Sequence, residues 1–160
     1  MDNGEAERLA RTFAPAVYRL CYARTGSRTD AEDLMQETFL RLVRTRPDFE
    51  DDAHARAWLF QVALHCVADL YRVPWRRREE PVEEVPEREA AQAPEEDETL
   101  EAVLSLPPKY RAVIHLYYYE ELSVAEIARV TGKSEGTIRT RMSRARVLLR
   151  DTLEGGEARV

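Results

Sequence analysis

The sequence predicts an all-α protein: two small helical domains joined by a flexible acidic linker. Three observations carry that expectation. Apolar residues recur at steps of three and four through most of the chain, and no stretch shows the alternation of a half-buried strand. Eleven acids against one base, Arg88, fall between Glu79 and Glu101 in a run with three prolines and little apolar content, which repels itself and has no core to bury. Beyond that run, Leu122–Leu149 reads as two capped helices across a tight turn. The boundaries that follow are 1–78 for the first domain, 79–98 for the linker and 99–154 for the second domain.

The first helix runs from about Glu5 to Arg24, with Leu9, Phe13, Val17, Leu20 and Cys21 on one side, and Gly26 ends it. Asp30 reads as the cap of the second helix, with Glu32 and Asp33 near its positive end. Leu34, Met35, Phe39, Leu42 and Val43 form its core side, and Pro47 closes it. Its outer face holds Asp33, Gln36, Glu37, Arg41 and Arg44, which residue chemistry alone reads as a solvated face. After DFEDD, a third helix spans about His54 to Arg72, with Leu59, Val62, Ala63, Cys66, Val67 and Leu70 inward. Trp58, Phe60, His65, Asp69 and Tyr71 lie wholly or partly off that stripe, and Trp58 is read as core.

The end of that helix, YRVPWRRR, combines arginine with aromatic rings. That chemistry suits stacked bases and a single-stranded backbone, or else a helix end whose arginines complement the dipole. Pro74 departs from the helix and leaves Arg76, Arg77 and Arg78 in a turn or short irregular segment. Past the acidic run, Leu100, Val103 and Leu104 begin a fourth helix that ends near Leu106. Pro107 and Pro108 then start a fifth, with Tyr110, Val113, Ile114 and Tyr117.

Ser123 and Glu126 have the spacing of a capping box, so a helix starts there, with Val124, Ile127, Ala128 and Val130 as its apolar side. Thr131-Gly132-Lys133 stops it, and Gly132 is the residue best able to take the left-handed conformation. Ser134 caps a second helix whose Ile138, Met142, Ala145 and Leu149 point inward. At about 100° per residue, Gly136, Thr140, Ser143 and Arg144 fall opposite that stripe, flanked by Arg139, Arg141 and Arg146. From Lys133 to Arg150 six bases face only Glu135, in a chain whose formal net charge is −6. A charged outer face on an arbitrary helix pair is simply solvated, but a surface serving solubility mixes its signs. A small, polar, cationic face suits the major groove, where Arg reads guanine edges and flanking bases meet phosphates. The pair is therefore read as a helix-turn-helix with the second helix as reader.

Composition narrows the function classes. A chain of 160 residues, 44% hydrophobic, can build one domain or two small ones. It has no apolar run long enough for a bilayer, and MDNGEAERLARTF lacks a signal-peptide pattern, so a cytoplasmic location without membrane insertion is expected. Cys21 and Cys66 sit in apolar stripes, which suits buried thiols better than a disulfide. His54, His65 and His115 are scattered, with no metal-ligand spacing and no Ser/His/Asp arrangement. Neither a metal, nor a cofactor, nor an enzymatic activity is expected.

Two stretches together resemble a known family. YRLCYARTGSRTDAEDLMQETFLRLVR, followed by RAWLFQVALHCVADLYR, resembles region 2 of the extracytoplasmic-function (ECF) group of bacterial sigma factors. LSLPPKYRAVIHLYYYEELSVAEIARVTGKSEGTIRTRMSRARVLL is similar to their region 4. The resemblance covers nearly all of the chain outside the acidic run and the two tips.

The resemblance implies a dissociable specificity subunit of core RNA polymerase, with the two domains as a region 2 bundle and a region 4 helix-turn-helix. The DAEDLMQETF helix would dock on the clamp helices of the largest subunit through Asp33, Gln36, Glu37 and Arg41. The third helix and the loop before it would capture the melted -10 element, with His65, Asp69, Arg72 and Arg76 as the residues concerned. The family commonly has Asn where His65 stands in ALHCVAD, and Pro74 shortens the usual basic extension. Region 4 would read the -35 duplex through Arg139, Thr140, Ser143 and Arg144, with Lys133, Thr137, Arg141 and Arg146 on phosphates. The linker would pass near the active-site channel and the RNA exit path, where its acidity imitates nucleic acid. An anti-sigma factor is a further expected partner. A second class stays open from the residues alone: a free-standing helix-turn-helix repressor or activator, which would bind a palindromic duplex without polymerase.

Overall fold

A computed structural model describes residues 1–72 and 98–159, and every regular element among them is helical. Three helices come first: α1 (Asn3–Thr25), α2 (Arg28–Thr45) and α3 (Asp52–Tyr71). Later come α4 (Glu98–Leu104), α5 (Pro108–Ile114), a π-helical turn (His115–Tyr119), α6 (Val124–Thr131) and α7 (Glu135–Arg159). The chain divides into two compact units, Met1–Glu89 and Ala90–Val160. The expected linker at 79–98 lies outside the described residues except for Glu98, which opens α4, and Pro74 with the Arg76–Arg78 cluster lies outside them too.

In the first unit the caps set the helix ends. Asp2 accepts from the Glu5 N–H at 2.8 Å, and Gly26, left-handed at φ 71°, returns its N–H to Tyr22. Pro15 is carried inside α1 at an exposed position without dividing the helix, which is held on both sides of it by buried Leu9, Val17 and Leu20. The cap of α2 is Ser27 rather than Asp30. The Ser27 hydroxyl accepts from the Asp30 N–H at 3.1 Å, so Asp30 becomes a first-turn acid near the positive helix end.

The buried stripe of α2 is Ala31, Leu34, Thr38 and Leu42. Thr38 is tolerated there because its hydroxyl donates to the Leu34 carbonyl at 2.8 Å. Val43, expected inside, is 45% exposed because Thr38 and Leu42 turn the stripe away from it. Along α3, capped by Asp51, the core takes Ala55, Leu59, Phe60, Ala63, Cys66 and Val67. Phe60, placed off the stripe by periodicity, is fully buried, whereas Val62 and Leu70 are only partly so. Trp58 is half-buried, with Phe49 packed against it edge to face at 5.7 Å. Arg8 on α1 grips Asp52 at the start of α3 through both terminal nitrogens, at 2.8 and 3.1 Å, and holds Glu5 as well.

In the second unit, Arg111 is buried and donates to the Leu104 carbonyl at 2.8 Å, which satisfies the end of α4. Pro108 opens α5 at its first turn. The π-helical turn that follows is closed by the Glu120 N–H donating to the His115 carbonyl and by a buried contact of 2.8 Å between His115 Nε2 and Glu120 Oε2. Then comes the capping box, complete in both directions: Ser123 accepts from Glu126 N–H at 3.1 Å, and Glu126 accepts from Ser123 N–H at 2.8 Å. Gly132, at φ 76°, ends α6 in the left-handed conformation that costs glycine least. Ser134 then accepts the Thr137 N–H, and Ile138, Met142 and Ala145 of α7 are buried, as are Ile127, Val130, Val113 and Leu116, with Leu149 half-buried.

Both cysteines are free thiols in the first core. Burial pushes the Cys21 thiol up to about 12 and raises Cys66 as well, with Arg41 partly opposing the second rise. A thiol raised in the folded state leaves stability whole below its ordinary value and withdraws it as pH climbs toward the folded one. Wild type therefore loses stability above the ordinary thiol range of about 8.5, and Cys21→Ala lacks that component. Urea unfolding at rising alkaline pH should show the gap between the two proteins narrowing, by at most about 1.4 kcal/mol per pH unit. Parallel curves would contradict a buried neutral thiol.

Candidate nucleic-acid interface

The face of α7 opposite its buried stripe is open to solvent. Gly136, Arg139, Thr140, Ser143 and Arg144 are all exposed, as is Lys133 in the turn before the helix, and Thr137 and Arg141 are half-buried on its sides. The four residues expected to read bases thus stand on one surface, and the expected phosphate contacts flank it. Arg139 is engaged by Glu135 one turn earlier at 3.0 Å, with both side chains largely in water. An exposed i,i+4 pair of this kind is worth about 0.3–0.5 kcal/mol, so it does not commit Arg139 to Glu135. Ser134 donates to the Thr137 hydroxyl at 3.0 Å and so sets the Thr137 side chain at the helix start.

Arg146 is placed differently. Its Nε donates to the Tyr118 hydroxyl at 3.0 Å, and its guanidinium carbon lies 5.7 Å from the Tyr117 ring centre and 5.8 Å from that of Tyr118. Tyr118 was absent from the residues singled out in the sequence, and Tyr117 was read only as part of the fifth helix. The run YYY was the available signal, but only the π-helical turn, which periodicity does not reveal, brings it against α7.

In the first unit, Asp33 and Gln36 are exposed on α2, while Glu37 and Arg41 are half-buried and joined by 3.1 Å. Arg41 also reaches Asp69 on α3 at 3.3 Å, and Asp69 in turn holds Arg72. Hydrogen bonding to Glu37 raises the Arg41 pKa further above its ordinary value. Two sets of residues that the sequence assigns to separate partners therefore meet in one cluster. An open groove of about 330 Å³ lies there, lined by Asp30, Asp33, Glu37 and Asp69 with Arg41 and the apolar Leu34. Arg44 pairs with Glu37 and Arg72 with Asp69 from beside the groove, so four carboxylates meet three guanidiniums, and the small net negative charge left at Asp30 and Asp33 favours a cationic side chain over a phosphate there. Asp30, read from the sequence only as a cap, belongs to it. His65 is exposed on α3, and Arg76 lies outside the described residues. No group of three or more His, Cys, Asp or Glu able to hold a metal ion occurs among the described residues, and no helix there is long and apolar enough to cross a membrane.

Comparison with known proteins finds two family matches along the chain. The family described as sigma-70 region 2 matches residues 9–77, and sigma-70 region 4 matches residues 96–149. The ECF RNA polymerase sigma factor SigE of Mycolicibacterium smegmatis is 36% identical over 92% of this chain, which spans 61% of SigE. SigD of Mycobacterium tuberculosis, also an ECF RNA polymerase sigma factor, is 32% identical over 95% of the chain and 78% of its own length. Among solved structures, that of CnrH in complex with the cytosolic domain of CnrY superposes with a TM-score of 0.69 at 26% identity, covering 96% of this chain and 90% of CnrH.

The Arg41–Asp69 contact joins side chains that are 35% and 44% exposed. A double-mutant cycle on Arg41→Ala and Asp69→Ala, read by urea unfolding, should give a coupling of at most about 1 kcal/mol. A larger value would make the contact part of the framework instead of one that a partner can exchange.

Proposed function

The chain belongs to the ECF group of RNA polymerase sigma factors, and from that premise we propose that it is an alternative sigma factor directing promoter-specific initiation. The observation that carries the reading is the tandem of a region 2 bundle and a region 4 helix-turn-helix whose reading helix exposes a cationic face. A free-standing repressor has no use for the first of these.

Core polymerase is the first partner. The exposed Asp33 and Gln36, with Glu37 and Arg41 beside the acidic groove, form the surface offered to the clamp helices of its largest subunit. Promoter DNA is the second. The edge of α3, with His65, Asp69 and Arg72, faces the melted -10 strand, and Arg76, outside the described residues, is assigned to the same strand. Arg41 and Arg72 neutralise Asp69, which lowers its repulsion of a phosphate. Capturing one unpaired base there offsets an unstacking cost of a few kcal/mol, and the polymerase holds the rest of the bubble. The protein performs no covalent chemistry in this scheme and acts in the cytoplasm with the polymerase. CnrH was solved with the cytosolic domain of CnrY. A partner of the anti-sigma kind, covering the same surfaces, is part of this proposal.

At the -35 element, Arg139 and Arg144 meet base edges with Thr140 and Ser143, while Lys133, Thr137 and Arg141 position the helix on phosphates. The boundaries 1–78 and 99–154 delimit the two working parts, with 79–98 as the tether. The chain assembled with core polymerase, challenged with a pool of randomised duplexes, tests the roles. Arg144→Ala should flatten the preference at one base position by about 1–3 kcal/mol, whereas Arg141→Ala should weaken all sequences alike and reduce the salt dependence by about one contact. Equal effects from the two substitutions would contradict the assignment.

A further inference from the structure

Arg146 lies on α7 two residues beyond Arg144, on the flank of the reading face, where charge alone would assign it to a phosphate. Its surroundings differ from those of its neighbours. Among the described residues, Arg141 and Arg144 have no ion pair or hydrogen bond from their side chains. Arg146 instead donates from Nε to Tyr118 at 3.0 Å and lies against the Tyr117 and Tyr118 rings, which meet each other edge to face at 4.9 Å. A guanidinium held by one hydroxyl and two rings is already directed.

The far side of this contact is firmly anchored. Tyr117 and Tyr118 belong to the π-helical turn, whose Leu116 is fully buried and whose first residue, His115, meets the buried Glu120 at 2.8 Å. That turn runs directly into the capping box of α6. A bond from α7 to the turn therefore adds a directional polar brace, remote from the α6–α7 turn, to the apolar packing of Ile138, Met142 and Ala145.

We infer that Arg146 is a positioning residue, which through Tyr118 and Tyr117 sets the angle of the reading helix, and that it does not act as a phosphate contact. The inference rests on the duplex-reading role of α7. Two substitutions that keep the net charge separate it from the alternative. Arg146→Lys preserves a point charge able to meet a phosphate but cannot reproduce the planar fork that donates to Tyr118 while covering two rings. Tyr118→Phe removes the acceptor and touches no charge.

The test uses the full chain assembled with core polymerase and the randomised duplex pool, with thermal melting of each variant alongside. Both variants should lose about two- to tenfold in enrichment of preferred over random duplex, with the slope of log affinity against log salt and the melting transition both unchanged. Arg146→Lys behaving as wild type, together with a silent Tyr118→Phe, would return Arg146 to the phosphates. Equal loss of preferred and random binding, or loss tracking a lowered melting temperature, would also overturn the inference. If wild type itself selects no duplex, the duplex-reading role fails, and the inference falls with it.

Discussion

The single buried stripe of α7 is the constraint on which the functional surface depends. Ile138, Met142 and Ala145 are taken into the core of the second unit. With about 100° between successive residues, that choice fixes which side chains face outward. Arg139, Thr140, Ser143 and Arg144 are presented together because the opposite face has nowhere else to go. Burying a side chain such as Ile138 is worth about 1.5–3 kcal/mol, several times any ion pair on the exposed face, so apolar packing sets the helix rotation and charge does not. The Gly132 turn and the paired caps at Ser123 and Ser134 then fix where the helix begins.

In the first unit the corresponding constraint is electrostatic. Four carboxylates around Arg41 leave the α2–α3 groove acidic, and Arg41 joins the two helices across it. The contacts are half in water, so each is worth less than about 1 kcal/mol, and a partner can exchange them without unfolding anything. A basic protein surface has reason to approach this groove. At the end of α3, Arg72 stands beyond Asp69 and is paired with it.

The helix-turn-helix was legible almost residue by residue, because its determinants are local: a capping box spans four residues and a left-handed glycine only one. The errors came where tertiary context outweighs local pattern. Asp30 and Ser27 are both good caps, and only the backbone of Ser27 is extended ahead of α2. Phe60 and Val43 exchange their expected places because a helix packed against two others buries a wider or narrower stripe than periodicity assumes. The π-helical turn left no mark in the pattern, since its extra residue simply shifts the phase between α5 and α6. With it went the contact of Arg146 with Tyr117 and Tyr118. The meeting of Arg41 with Asp69, 28 positions apart, was equally out of reach of spacing arguments.

The proposed function requires that this protein open promoters only as a subunit of polymerase. The most direct test is permanganate reactivity of unpaired thymines on a pool of promoter fragments, with and without core polymerase and with and without this protein. The account predicts reactivity near -10 only when both are present, and the reactive fragments then report the promoter class. Tight duplex binding by the protein alone, with no opening when core is added, would contradict it and leave a repressor or activator in its place.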